Sequence, residues 1–157
     1  MLKKLLKNER GLTLIELLAV VVILGIIAAI AIPSIGGLID NSKKDAHVAN
    51  AQQMISSAKI YATGHAEEID ETGKTIKLSE MESENLIDPM KDPDKGNYDK
   101  DNSFVVITKT DNKFTYKVTL TNGKRGLAGL ESNQLKRSAV ENKKASAPAP
   151  APAPTGS

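Results

Sequence analysis

The sequence predicts an α+β fold in which a long N-terminal helix packs on a small antiparallel β-sheet head. Three observations predict it. Residues 12–32 form an apolar run whose single charge is Glu16. Val48, Ala51, Ile55, Ala58 and Ala62 then continue a 3,4,3,4 spacing that keeps apolar groups on one helical face. Between residues 114 and 121, Phe114, Tyr116, Val118 and Leu120 alternate with Thr115, Lys117, Thr119 and Thr121, the two-residue period of a half-buried strand.

The first element is a helix over residues 12–63, about 75 Å long. Its first part, 12–32, is long enough to cross a hydrocarbon core of roughly 30 Å. Its second part, 34–63, is amphipathic, with Lys44, Gln52 and Lys59 on the face opposite the apolar stripe and Gly64 as terminator. Gly25, Pro33, Gly36 and Gly37 are its weak points, because proline removes an i→i−4 bond and glycine costs about 1 kcal/mol relative to alanine. Residues 65–135 form the head. Ser79 followed by Glu82 suits a capping box for a short helix ending near Ile87. Ser103–Thr110 and Lys113–Thr121 read as strands joined across Asp111-Asn112, with Asn122-Gly123 turning into a third strand or a loop. The apolar strand face needs a cover, and the stripe from Ile55 to Ala62 is the one available. Residues 136–157 read as a disordered polar tail whose Ala-Pro run, 147–154, favours extended polyproline II.

Charge and composition narrow the function. The chain of 157 residues has 21 basic groups against 19 acids. Lys3, Lys4, Lys7 and Arg10 precede the apolar run with only Glu9 to offset them, and without residues 1–11 the balance is 17 against 18. Mild basicity is therefore no argument for nucleic-acid binding. Five aromatic residues, Tyr61, Tyr98, Phe104, Phe114 and Tyr116, are too dispersed for a base-stacking platform, and no specific nucleic acid is expected. With no cysteine, the part beyond the apolar run has no disulfide and must be held by packing. No nucleophile constellation is present, and His47 and His65 are expected at the surface, so the chain is not expected to be an enzyme.

Three readings fit the N-terminus. A secretory signal peptide has a basic region and an apolar stretch, and Ala29-Ile30-Ala31 offers an A-x-A arrangement. Its apolar stretch is normally shorter, without an internal acid. An uncleaved signal anchor carrying a binding or adhesion module explains the length but not Glu16, because a carboxylate at a bilayer centre costs roughly 2.5–3.5 kcal/mol. The third reading comes from Gly11-Leu12-Thr13-Leu14-Ile15-Glu16-Leu17, which resembles the class III signal of type IV pilins and pseudopilins.

That resemblance implies a pilin-like fold, cleavage by a prepilin peptidase between Gly11 and Leu12, loss of the leader 1–11, and N-methylation of Leu12. Where the family most often has phenylalanine after the cut, this chain has Leu12. It further implies a homopolymer assembled through the N-terminal helices, with a membrane platform and an assembly ATPase as partners. The function implied is that of a pilin in an extracellular filament, or a pseudopilin of a type II secretion or DNA-uptake machine. By the positive-inside rule the N-terminus stays cytoplasmic in a single-pass membrane form, and a surface filament follows assembly. Glu16 would pair with the Leu12 amine of a neighbouring subunit, which offsets its desolvation; the alternative is a carboxylate snorkelling to the interface. By the same resemblance, Gly25 and Pro33 bracket a stretch that loses helicity on assembly, against the simpler reading of a kinked membrane helix.

The loop DPMKDPDKGNYDKD, residues 88–101, groups Asp88, Asp92, Asp94, Asp99 and Asp101. Hard oxygen ligands so grouped are calcium candidates, although the spacing is not that of an EF-hand. The loop resembles that of major pseudopilins, some of which bind calcium. The competing reading is a polar turn set by proline and glycine. No other cofactor is expected.

Overall fold

The computed structural model describes residues 13–142. These residues divide into two compact units, 13–40 and 41–142. Helix α1, Leu14–Gly64, contributes to both. The expected leader 1–11 and the processing pair Gly11 and Leu12 lie outside the described residues, as does the Ala-Pro run.

In the first unit α1 is a continuous helix through Gly25 and Pro33. The loss of helicity expected there belongs to the assembled state, and the single chain shows only the helix from which it would start. Pro33 forfeits one i→i−4 bond, and an otherwise cooperative apolar helix tolerates that loss. Between Leu14 and Ile39 sixteen large apolar side chains are exposed, among them Leu14 at 87%, Ile30 at 71% and Leu38 at 70%. Burying a Leu, Ile or Val is worth about 1.5–3 kcal/mol, so this surface represents on the order of tens of kcal/mol that water does not satisfy.

The second unit buries what the first exposes. Its part of α1 turns His47, Ala51, Met54, Ile55, Ser57, Ala58, Tyr61 and Ala62 inward. Four strands, β1 (Lys74–Lys77), β2 (Phe104–Thr110), β3 (Lys113–Thr121) and β4 (Gly126–Leu130), form one antiparallel sheet in that order. Val105, Ile107, Val118, Leu120 and Leu127 join Met54, Ile55 and Ala58 in one core, with Leu78 and Met81 of the short helix α2 (Leu78–Ser83). The β2–β3 hairpin turns on Asp111 (φ 48°) and Asn112 (φ 61°) between paired Thr110 and Lys113. Positive φ at both central residues is the turn that matches strand twist.

Four expectations change. Strand β1 is an addition to the expected sheet, its four residues being too few to carry an alternation. Helix α2 starts at Leu78 and ends at Ser83, and its capping carboxylate is Glu80, which accepts the Lys77 N–H at 2.8 Å. On β3 the face expected to be wet is buried at Thr119 and Thr121. Their hydroxyls are satisfied internally, Thr119 Oγ1 accepting from Gly129 N at 3.1 Å and Thr121 Oγ1 from Gly123 N at 3.1 Å. Finally, the head does not stop at residue 135. A tight helical turn at Arg137–Ala139 is followed by Val140, which is buried, and Glu141, whose N–H and C=O exchange bonds with Gly126.

Candidate functional site

In the first unit the functional candidates gather where α1 begins. Thr13 and Glu16 satisfy each other reciprocally. The Glu16 carboxylate oxygen Oε2 accepts from Thr13 N at 2.8 Å and from Thr13 Oγ1 at 2.8 Å, and Thr13 Oγ1 accepts from Glu16 N at 3.3 Å. This is a capping box, and Thr-x-x-Glu ahead of an apolar run was its sequence signal. The carboxylate thus closes one backbone donor at the helix start, Thr13 N, while the Thr13 hydroxyl closes another, Glu16 N, both within the same chain. Behind it lies the exposed apolar surface, long and apolar enough to cross a membrane.

In the second unit a polar cluster pins the aspartate-rich loop to α1. Lys43, His47 and Asn50 fall at i, i+4 and i+7, beside the apolar stripe of Ala51, Met54 and Ile55. That spacing was the signal for His47, which is not at the surface as expected but 1% exposed. Its Nε2 lies 3.1 Å from Asp94 Oδ2 and its Nδ1 2.8 Å from Tyr98 Oη. Asn50 Nδ2 donates to Tyr98 Oη at 2.9 Å and to the Lys91 carbonyl at 3.2 Å. With Asn50 donating to Tyr98 Oη, the phenol hydrogen is left to donate to His47 Nδ1, and His47 Nε2 to donate to Asp94. The turn after β3 supplies the rest. Asn122 Nδ2 donates to both Asp92 oxygens, at 3.0 and 2.9 Å, and to Asp94 Oδ2 at 3.3 Å. Arg125 Nε stands 3.5 Å from Asp94 Oδ2, and Lys43 Nζ 3.4 Å from Asp94 Oδ1.

Electrostatics follow from this arrangement. Desolvation raises the Asp94 pKa, but the His47 bond, the Arg125 charge, Asn122 and Lys43 together outweigh it, and the carboxyl stands below its ordinary value. Burial pushes the Tyr98 hydroxyl upward, with the neighbouring Asp92 and Asp94 charges adding to the shift and Asn50 opposing it. A phenol so shifted stays neutral and is no nucleophile.

Of the five calcium candidates the structure brings Asp92 and Asp94 together, and with His47 they present ligand atoms within 4.8 Å of one another. Amide, imidazole, guanidinium and ammonium groups of the chain already engage these carboxylates. The other three are separate. Asp88 is exposed, Asp99 accepts from Asn102 at 3.1 and 2.7 Å, and Asp101 lies beside Lys77 at 3.8 Å. His65, also expected at the surface, is half-buried just past the end of α1, stacked on Tyr61 with 4.0 Å between ring centroids.

Residues 6–32 match the prokaryotic N-terminal methylation motif. No curated protein matches the chain, and no solved structure does.

Proposed function

The chain carries, over residues 6–32, the class III signal characteristic of type IV pilins and pseudopilins, and from that premise we propose that it is the structural pilin of a pilus-like extracellular filament. The observation that carries the proposal is the conjunction of this motif with a helix whose apolar surface is uncovered from Leu14 to Ile39. A lipid bilayer covers that surface before assembly, and neighbouring copies of the same helix cover it afterwards.

Prepilin peptidase cleaves between Gly11 and Leu12, and Leu12 is methylated on its new amine. The N-terminus faces the cytoplasm, the head faces outward, and a membrane platform with its ATPase drives polymerisation. In the filament the Glu16 carboxylate of one subunit meets the Leu12 amine of the next, a pair that low dielectric strengthens. Because Oε2 is taken by Thr13, the second carboxylate oxygen is the one that faces the neighbour. The stretch between Gly25 and Pro33, helical in the single chain, extends on assembly.

Intact-mass and N-terminal analysis of protein sheared from the cell surface tests this reading. A chain beginning at Leu12, with or without one added methyl group, supports it; one beginning at Met1 returns the protein to a signal anchor bearing a binding module. The loop fixed on α1 through His47 favours a second reading, a pseudopilin of a secretion or DNA-uptake machine. Long surface filaments at native expression separate the pilus from that alternative.

A further inference from the structure

A cleft of about 480 Å³ in the second unit is lined by Asn41, Lys44, Asp45, Lys136, Arg137 and Ser138. Its walls come from the first turns of that unit's helix and from the tight turn at Arg137–Ala139, which the sequence placed in a disordered tail. Arg137 ties the two together, Nε donating to Asp45 Oδ1 at 2.8 Å and Nη2 to Asp45 Oδ2. The clamp occupies the one carboxylate lining the cleft. Hydrogen bonding from Arg137, the largest cause, and its charge both lower the Asp45 pKa, so that carboxylate remains ionised and engaged at neutral pH.

Around the clamp stand two ammonium groups, a primary amide and a hydroxyl, together with the guanidinium. This set is rich in donors and cations, and it suits an anion with several strong acceptor oxygens, above all a phosphodiester. Chain position identifies the source. Exposed apolar side chains persist to Ile39, and 26 helical residues from Leu14 span more than a straight crossing of roughly 30 Å requires. Lys44 comes five residues after Ile39 in the sequence, so the chain itself keeps it within about 17 Å of the last exposed apolar side chain, whatever the angle between the units.

We propose that this cleft binds the phosphate of an anionic phospholipid headgroup in the outer leaflet of the membrane that holds the first unit, docking the head on the bilayer before assembly. The inference rests on the membrane-anchored part of the pilin reading. It adds a lipid preference and a docked state to that reading. Release from the surface is then a step that any assembly machinery must drive.

The test uses the full chain in nanodiscs of phosphatidylcholine, alone or with about a third phosphatidylglycerol. Ser132→Cys, a unique thiol in a chain without cysteine, carries a fluorophore, and nitroxide headgroups quench it when the head docks. Quenching is expected to rise with phosphatidylglycerol and to fall with added salt. Lys44→Gln with Lys136→Gln is expected to lower the docked-to-free ratio about 25-fold, each basic group contributing about fivefold. Lys95→Gln, away from the cleft, leaves it unchanged. Equal quenching in the two lipids overturns the proposal using the wild-type cleft alone, whether or not the double variant folds. Inorganic phosphate that binds in neutral discs through Lys44 and Lys136, and displaces the head from anionic ones at millimolar concentration, makes this a free-anion site and overturns the lipid assignment. A chain that fails to enter either disc overturns the anchor itself, and the docking inference falls with it.

Discussion

Residues 13–40 and 41–142 solve opposite problems with the same kinds of apolar side chain. The first unit keeps its leucines, isoleucines and valines exposed and satisfies one acid with one threonine at the start of the helix. The second hides Met54, Ile55, Val105, Ile107, Val118 and Leu120 behind its own sheet and satisfies several charges with one another. The difference shows where each unit finds its stability. The head needs only its own contacts, whereas the helix needs an external cover.

Changes on either side of the boundary sharpen that contrast. The largest effect is expected from Glu16→Ala, which should abolish recovery of sheared filaments while leaving the denaturation midpoint of the head unchanged. Normal filament yield would remove Glu16 from assembly. Met54→Ala opens a cavity at a fully buried site and should destabilise the head by about 2–5 kcal/mol in chemical denaturation. Its membrane insertion should be untouched, and a failure to insert would show the two units to be coupled. Next comes His47→Phe, which keeps a ring but strands Asp94 and Tyr98, at an expected cost of about 1–3 kcal/mol. Hydrogen exchange over residues 88–101 should rise in that variant before it rises in β3.

The smallest effect is a pH slope. Asp94 has a folded pKa below its unfolded one, so between those values the unfolded state binds more protons and stability rises with pH. Its contribution is complete above the unfolded carboxylate value of about 3.9 and disappears as pH falls through the folded value. Asp94→Asn should flatten this part of the acid-unfolding curve, and an unchanged curve would show that the carboxylate adds nothing in the native state.

Much of this architecture was legible where the period was long or the pairing local. The α1 stripe from Ala51 to Ala62 is buried as its spacing required, and β3 runs from Lys113 to Thr121 as the alternation indicated. What escaped depended on partners distant in sequence. Nothing near His47 announces Asp94 or Tyr98, some fifty residues away. The burial of Thr119 and Thr121 follows from bonds to residues beyond the strand's end, which alternation within the strand cannot express. Arg137 lies in a polar stretch of the sequence, and what orders it is distant: Asp45 opposite its guanidinium and the Gly126 pairing of Glu141 just beyond it. The Thr13–Glu16 box, by contrast, was written locally, and the apolar run around it drew attention to the cost of the acid rather than to its neighbour.

The turn after β3 has one more consequence, for chemical ageing. Asn122-Gly123 is a dipeptide whose flexible backbone normally lets the asparagine amide be attacked and hydrolysed. Here Asn122 Oδ1 accepts from Lys124 N at 3.0 Å and Arg125 N at 2.7 Å while its Nδ2 is held by Asp92 and Asp94, so the side chain is fixed away from free rotation. Deamidation would replace a donor with a third negative charge beside two others. The fold therefore slows the reaction that would damage it most, and in long-stored protein the small mass gain of amide-to-acid conversion should fall elsewhere first, unless the head has been unfolded. The head's durability in storage is set by bonds such as these.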